Sequence, residues 1–365
     1  MAQPAAPTSD ASAPNAPAPR DPAQLRQRHE ALQKEKGPLR ARDAAAALGV
    51  TEAELAASRV GDGGVTRLSD DWDDFCHGLE ALGEVMALTR NPHAVIEKTG
   101  IFRNVQLFDH GGNVLDEGLD LRIFRHKWGT AFAVRDVENQ RRSIQIFGPE
   151  GLAYHKLFKF GAEGEEAFEA FATKFAAEDQ SPGFVPVPAA EPPPEKPDEE
   201  IDQAGLLEAW SKIQDTHEFF FLFRRFKVSR MQALRLGGEF TRRVDLHSHR
   251  QILEWARDAS FEIMVFVSSP GVIEIHTGTV KKLKLMGDWY NVLDKGFNLH
   301  LFEPGVAHAW VSKKPTADGI VTSLELYDEA GKTVALFFGK RKPGQVEQEA
   351  WREALAALPD APAEG

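Results

Sequence analysis

The sequence predicts an α+β protein of two homologous repeats, each of helices plus a large antiparallel β-sheet, packed with pseudo-two-fold symmetry. Three observations predict it. The run from Asn113 to Phe124 (NVLDEGLDLRIF) returns from Asn291 to Phe302 (NVLDKGFNLHLF), an offset of 178 that also aligns Met86 with Met264, Pro92 with Pro270 and Thr99-Gly100 with Thr277-Gly278. In both copies a helical pattern precedes strands of alternating polarity. A proline-rich stretch, Pro182 to Pro197, stands between the copies and reads as an extended linker. Two such sheets cover their apolar faces by packing on one another, and clefts between halves are common ligand sites.

The elements follow in order. Residues 1–22 are rich in Ala, Pro and Ser without hydrophobic periodicity and are expected to be a disordered tail. The first repeat is assigned to 23–178. It opens on helices, with Gly49 as a stop and Thr51 with Glu54 as a capping box for the next helix. Strands run from about Met86 to Phe158, shown by the alternation at Leu119–Phe124 and Ser143–Phe147. Glu165 to Ala177 then reads as an amphipathic helix with Phe168, Phe171 and Phe175 on one face. The linker is assigned to 179–200 and the second repeat to 201–365. That repeat has helices first, strands from about Glu262 to Phe338, and a closing helix over Val346 to Leu358. Ser323–Tyr327 matches Ser143–Phe147 at an offset of 180.

Composition narrows the function. The 365 residues carry a net charge of −12, which disfavours nonspecific binding to nucleic acid. The single cysteine, Cys76, cannot build a disulfide, zinc finger or iron–sulfur site within one chain, and no CxxCH motif is present to attach haem covalently. No signal peptide or long apolar span is seen, so a soluble protein of the reducing cytoplasm is expected. Walker A, dinucleotide-binding and nucleophile-elbow motifs are missing.

Two residues stand out chemically. His217 lies in Trp210–Phe221 (WSKIQDTHEFFF), where Trp210, Ile213, His217 and Phe220 recur at helical spacing. An imidazole amid aromatics suits an iron porphyrin, and it equally suits a core histidine with a hydrogen-bond partner. Arg122 shares a strand face with Asp120 and Phe124, opposite Leu119, Leu121 and Ile123. A pair with Asp120 is the plain reading, and a ligand-facing guanidinium is the functional one. His247 and His249, without a clear third ligand, read as surface histidines, and the helices at Arg40–Leu55 read as structural despite a faint helix-turn-helix pattern.

Several motifs in order resemble the HemS-type haemin-degrading family: Asp215-Thr216-His217-Glu218-Phe219-Phe220 after Trp210, the strand Asp120–Phe124, Lys314–Leu326, Ala41–Ala44 and Glu262–Val267. The resemblance runs from about Leu39 to Leu358 and includes the doubled architecture. It implies non-covalent haem b with His217 as the axial iron ligand, Arg122 on the distal side and Phe124 packing beside it. Arg224, at i+7 from His217, and Lys295 are candidate partners for the propionates. Ile320 stands where family members often carry a tyrosine, which removes one polar contact. Arg122 aligns with His300, and Leu39 is the residue aligned with His217, so one His-ligated site per chain is expected. The resemblance implies handling of imported haem for iron acquisition, with a haem ABC transporter and a haem oxygenase as partners. Carriage and ring opening both remain open, and ring opening needs an external electron donor because no flavin or nicotinamide motif exists. The alternative is a scaffold for a different ligand or for a protein partner.

Overall fold

The computed structural model describes residues 20–109, 111–136, 139–162, 164–189, 193–215, 218–341 and 344–362. Most of the expected tail lies outside them. The first repeat begins with α1 (Pro22–Lys36), α2 (Ala41–Leu48) and α3 (Glu52–Ala57). There follow β1 (Val65–Leu68), α4 (Trp72–Gly78), β2 (Glu84–Arg90), β3 (Ala94–Ile101), β4 (Val105–Phe108), β5 (Gly111–Leu115) and β6 (Asp120–Ile123). The repeat ends with β7 (Thr130–Asp136), β8 (Arg141–Phe147), β9 (Ala153–Phe160) and α5 (Glu165–Lys174). The second repeat opens with α6 (Gln203–Ser211), α7 (Glu218–Phe226), α8 (Arg230–Leu236), β10 (Thr241–Arg243) and α9 (Ser248–Asp258). It continues through β11 (Ile263–Ser268), β12 (Val272–Gly278), β13 (Leu283–Met286), β14 (Trp289–Asp294) and β15 (Phe297–Phe302). It closes with β16 (His308–Thr316), β17 (Gly319–Tyr327), β18 (Thr333–Gly339) and α10 (Glu349–Ala356).

Local signals set the helix ends. The capping box forms as predicted: Thr51 N–H donates to Glu54 Oε2 at 2.8 Å, and Glu54 N–H to Thr51 Oγ1 at 3.2 Å. In the second repeat Ser229 caps α8, its Oγ accepting from Gln232 N–H at 3.0 Å without the return bond of a capping box. Gly49 (φ 66°) ends α2, and Lys227 (φ 54°) holds the equivalent left-handed position after α7. So α2 and α3 are the counterparts of α7 and α8. The phenylalanine stripe of α5 is buried as its spacing predicts, and Phe171 and Phe175 meet Phe75 of α4 edge-on.

Two nine-stranded antiparallel sheets form, and each is built from both repeats. The first runs β1-β7-β8-β9-β2-β3-β15-β14-β13 and the second β10-β16-β17-β18-β11-β12-β6-β5-β4. The meander β4–β6 thus leaves its own repeat to complete the second sheet, and β13–β15 completes the first. Alternation fixes which side of a strand is apolar, but not which strand it pairs with, so this exchange was invisible in the sequence. The chain passes between the two sheets where Gly100 of β3 meets Gly118, just before β6. A Cβ on Gly118 would lie 2.5 Å from the Thr99 carbonyl oxygen and 2.7 Å from Gly100 Cα. Only hydrogen fits there.

The inner faces of the two sheets form the main core. One cluster unites Ala94 and Ile96 of the first repeat with Val265, Val267 and Phe337 of the second. Another unites Leu121, Ile123 and Val272 with Ala131 and Ile144. A buried polar group sits among them: His155 Nδ1 is 2.9 Å from Thr89 Oγ1 and 4.0 Å from Glu274 Oε2. No helix among the described residues is long and apolar enough to cross a membrane.

The helical stripe read through Trp210 to Phe220 is interrupted. α6 stops at Ser211, and Ile213 lies in the connection before α7. That connection is tied down instead, with Ala317 N–H donating to the Gln214 carbonyl at 2.9 Å and Gln214 N–H to Glu218 Oε2 at 3.1 Å.

Candidate functional site

Residues paired directly across antiparallel strands share a face. Phe338 pairs with Met264, Leu336 with Phe266, Phe266 with Ile275, Ile275 with Asp120, and Ile273 with Arg122. These residues therefore line the outer face of the second sheet. Their neighbours in sequence, Val265, Glu274, Leu121 and Phe337, are fully buried in the inter-sheet core. Phe266, Ile273, Leu336 and Phe338 are only half-buried, giving an open apolar floor. Phe266 and Phe338 meet edge-to-face with ring centroids 5.2 Å apart.

Helix α7 walls one side. Its Phe219 packs edge-on against Trp210 of α6 at 4.6 Å, and the Trp210 indole N–H donates to the Lys313 carbonyl at 2.9 Å. The Lys314 ammonium lies 5.0 Å from the Phe219 ring centre and 5.4 Å from that of Phe338, joining helix to floor. Beneath it is an ionic network in which Lys314 and Glu325 are buried and Arg230 is partly exposed. Lys314 Nζ donates to Glu325 Oε1 at 2.7 Å and to Ser323 Oγ at 2.8 Å; Arg230 Nη2 donates to Glu325 Oε2 at 2.8 Å, and its Nε to the Tyr327 hydroxyl at 2.6 Å. Burial alone would raise the Glu325 carboxyl, but Arg230 and Lys314 overcome it and hold the group well below the usual carboxylate range. Burial lowers Lys314, with Glu325 opposing. Two cations against one carboxylate leave this corner with a surplus positive charge.

Strand β6 walls the other side, three strand spacings from β18, or about 14 Å. Arg122 Nη1 donates to Asp120 Oδ1, and Arg122 is partly exposed. Phe124 follows the strand, with the Lys127 ammonium 5.3 Å from its ring centre. The result is a cleft with an apolar floor, an aromatic and cationic wall at α7, and a guanidinium at β6. It matches a flat, largely apolar ligand that carries carboxylates.

The expected site residues fall as follows. Arg122 and Phe124 stand on the β6 wall. His217 lies outside the described residues, directly before Glu218, the first residue of α7. Arg224 is exposed on α7. Lys295 is not brought to the cleft: it is exposed in the β14–β15 turn of the first sheet. Ile320 is exposed at the start of β17. His300 takes the place in the first sheet that Arg122 takes in the second, pairing with Val95 as Arg122 pairs with Ile273. The reading of His249 as a surface histidine is corrected. It is fully buried, with Nε2 2.9 Å from Glu303 Oε1 and Nδ1 3.1 Å from the Leu246 carbonyl oxygen. Among the described residues no cluster of three or more His, Cys, Asp or Glu could hold a metal ion.

Arg230, Lys314 and Glu325 escaped the sequence reading. On β16 and β17 polar residues alternate with apolar ones, the pattern of a solvent-facing strand side. Here helices cover that side, which no local pattern announces.

The family model for the haemin-degrading HemS.ChuX domain matches twice, at residues 49–175 and 227–358. The hemin transport protein HmuS of Yersinia pestis is 38% identical over 322 residues, which are 87% of this chain and 92% of that protein. The crystal structure of holo-PhuS, a heme-binding protein from Pseudomonas aeruginosa, has a TM-score of 0.90 at 40% identity and covers 93% of this chain and 100% of its own. That of ChuS, an E. coli heme oxygenase, has a TM-score of 0.81 at 34% identity, covering 92% and 99%.

Proposed function

Because the chain belongs to the haemin-degrading HemS.ChuX family, we propose that it binds one haem in the cleft between α7 and β6 and handles it for iron acquisition, by trafficking it, degrading it, or both. The observation that carries this reading is the half-buried floor of Phe266, Ile273, Leu336 and Phe338, bounded by the start of α7 and by Arg122. A porphyrin needs apolar surface for its ring and cations for its propionates. The floor supplies the first, and the surplus charge of Arg230 and Lys314 over Glu325 supplies the second.

In this reading the ligand is haem b, held non-covalently, with His217 on the iron. Arg122 faces the iron's open side as a permanent hydrogen-bond donor, which its pair with Asp120 keeps aligned. Phe124 packs beside it, and Arg224 is a further candidate for a propionate. The protein works in the cytoplasm, receiving haem from an ABC transporter and passing it or its iron onward, with a haem oxygenase as the downstream partner. Any ring opening draws electrons from an external donor.

The test is an anaerobic haem titration of wild type and His217→Ala, followed by reductant and air. A one-to-one Soret complex that requires His217 supports the site. Loss of the Soret band with iron release in the presence of catalase marks degradation, and a stable complex marks a carrier. An equally tight complex with an unchanged Soret band in His217→Ala removes the ligand assignment, and no complex at all removes the reading.

A further inference from the structure

The first sheet presents a second outer face, and the registers map it onto the haem cleft. Leu88 pairs with Lys156 and Glu97 as Phe266 pairs with Leu336 and Ile275. Val95 pairs with His300 as Ile273 pairs with Arg122. The chemistry differs at each step. Glu97 and Lys156 put charge on the floor where the haem cleft has Ile275 and Leu336, and Lys156 is ion-paired with Glu52 of α3. Leu39 precedes α2 where His217 precedes α7. This face offers neither the apolar bed nor the axial ligand of its counterpart.

It offers unpaired cations instead. The side chain of Arg90, on β2 beside Val95, makes no hydrogen bond or ion pair among the described residues, and its Nε is buried without a partner. Buried guanidiniums are ordinarily satisfied. Burial pushes Arg90 down to about 10, and the nearby positive charges of Arg42 and Arg40 add to this, against Glu52 and Asp43. Arg40 and Arg42, at the start of α2, likewise have no hydrogen-bonded carboxylate among the described residues, and α2 lacks a side-chain cap. Burial lowers His300, the nearby Glu97 carboxylate opposes this, and Arg40 is also near enough to act on it, more weakly than Glu97. The Asn291 amide nitrogen donates to the Lys284 and Trp289 carbonyls, so its Oδ1 accepts from His300 Nδ1 at 2.6 Å. That fixes the tautomer and leaves His300 Nε2 as an acceptor.

We propose that this face binds a small oxyanion, a phosphate or a polycarboxylate, among Arg40, Arg42, Arg90 and His300, and that it coordinates no iron. Guanidiniums take the anion's oxygens pairwise, and a hydroxyl of hydrogenphosphate or citrate can donate to His300 Nε2.

Calorimetric titration of the full chain, with and without haem, uses inorganic phosphate and citrate as probes at ionic strength fixed with chloride. Binding of either is expected, and the tighter of the two identifies the source of the oxygens. Arg90→Gln and Arg42→Gln should each lose at least about tenfold in affinity, roughly 1.4 kcal/mol. Arg90→Lys, which keeps the charge, should retain most of it, and all three should leave the Soret band and haem stoichiometry unchanged. No binding of either anion to wild type, equal binding by Arg90→Gln, or a second haem equivalent abolished by Arg90→Gln would each overturn the proposal.

Discussion

Arg122 and His300 occupy one backbone position in two copies of the same sheet, 178 residues apart, each on the strand by which an exchanged meander joins the other repeat. Arg122 is held by Asp120 on its own strand, and His300 by Asn291 on the next. One is a permanent donor, and burial lowers the other's pKa so that its ring favours the neutral form, so the two positions differ in hydrogen-bonding character.

Arg122→Ala removes a donor from the open side of the proposed haem without touching the floor or α7. Haem affinity should change by only a few-fold, while the ferric absorption bands and the rate of any turnover shift. An unchanged spectrum and unchanged turnover in the variant would take Arg122 out of the site.

Glu325 pairs with two cations at once, the buried Lys314 and the partly exposed Arg230. Glu325→Gln leaves Arg230 and Lys314 facing each other without a counter-charge, and should cost about 3–5 kcal/mol in urea unfolding. Lys314→Met removes one cation and should cost less, while weakening haem binding through the lost charge. Equal, small losses in both variants would mean that the network is solvated.

Glu274 gives the fold a pH dependence of known sign. Burial pushes its carboxyl from 4.5 up to about 8, with Thr89 and Lys98 pulling it back. The folded chain therefore holds one proton more than the unfolded chain between those values, and stability falls as pH rises through that window. His155 and His276 work the other way: burial lowers each from 6.5 to about 3, so their contribution is lost as pH falls below 6.5. Between pH 6.5 and 8 the Glu274 effect stands apart from theirs. Wild type should lose about 2 kcal/mol across it, and Glu274→Gln should be nearly flat. A flat wild-type profile would show that Glu274 is ionised in the fold.

Gly118→Val tests the passage of the chain between the two sheets. Its side chain would enter the space of the Thr99 carbonyl and Gly100, backbone that cannot retreat without opening both sheets. A loss of about 3 kcal/mol or more is expected in denaturant unfolding. Near-neutral behaviour would mean that the meander is free to shift.

The sequence carried much of this molecule because its signals are local or repeated. The capping box of α3, the buried stripe of α5 and the chemistry of Arg122 beside Asp120 each depend on a few neighbouring residues. It did not show the break between α6 and α7, because Trp210 and Ile213 keep helical spacing through a segment anchored by β16–β17.

What the sequence determined by itself is the α+β class, the two homologous repeats, the face of each strand and the family, since period and self-similarity are properties of the chain alone. What only the tertiary structure decided is which strands pair, and hence that β6 faces α7 across a floor supplied by β18, β11 and β12. It also decided that Lys314 and Glu325 lie beneath a helix and not in water, and that Lys295 belongs to the other sheet. Pairing partners and burial depend on contacts between residues far apart in sequence, and those contacts are fixed by packing the whole chain at once.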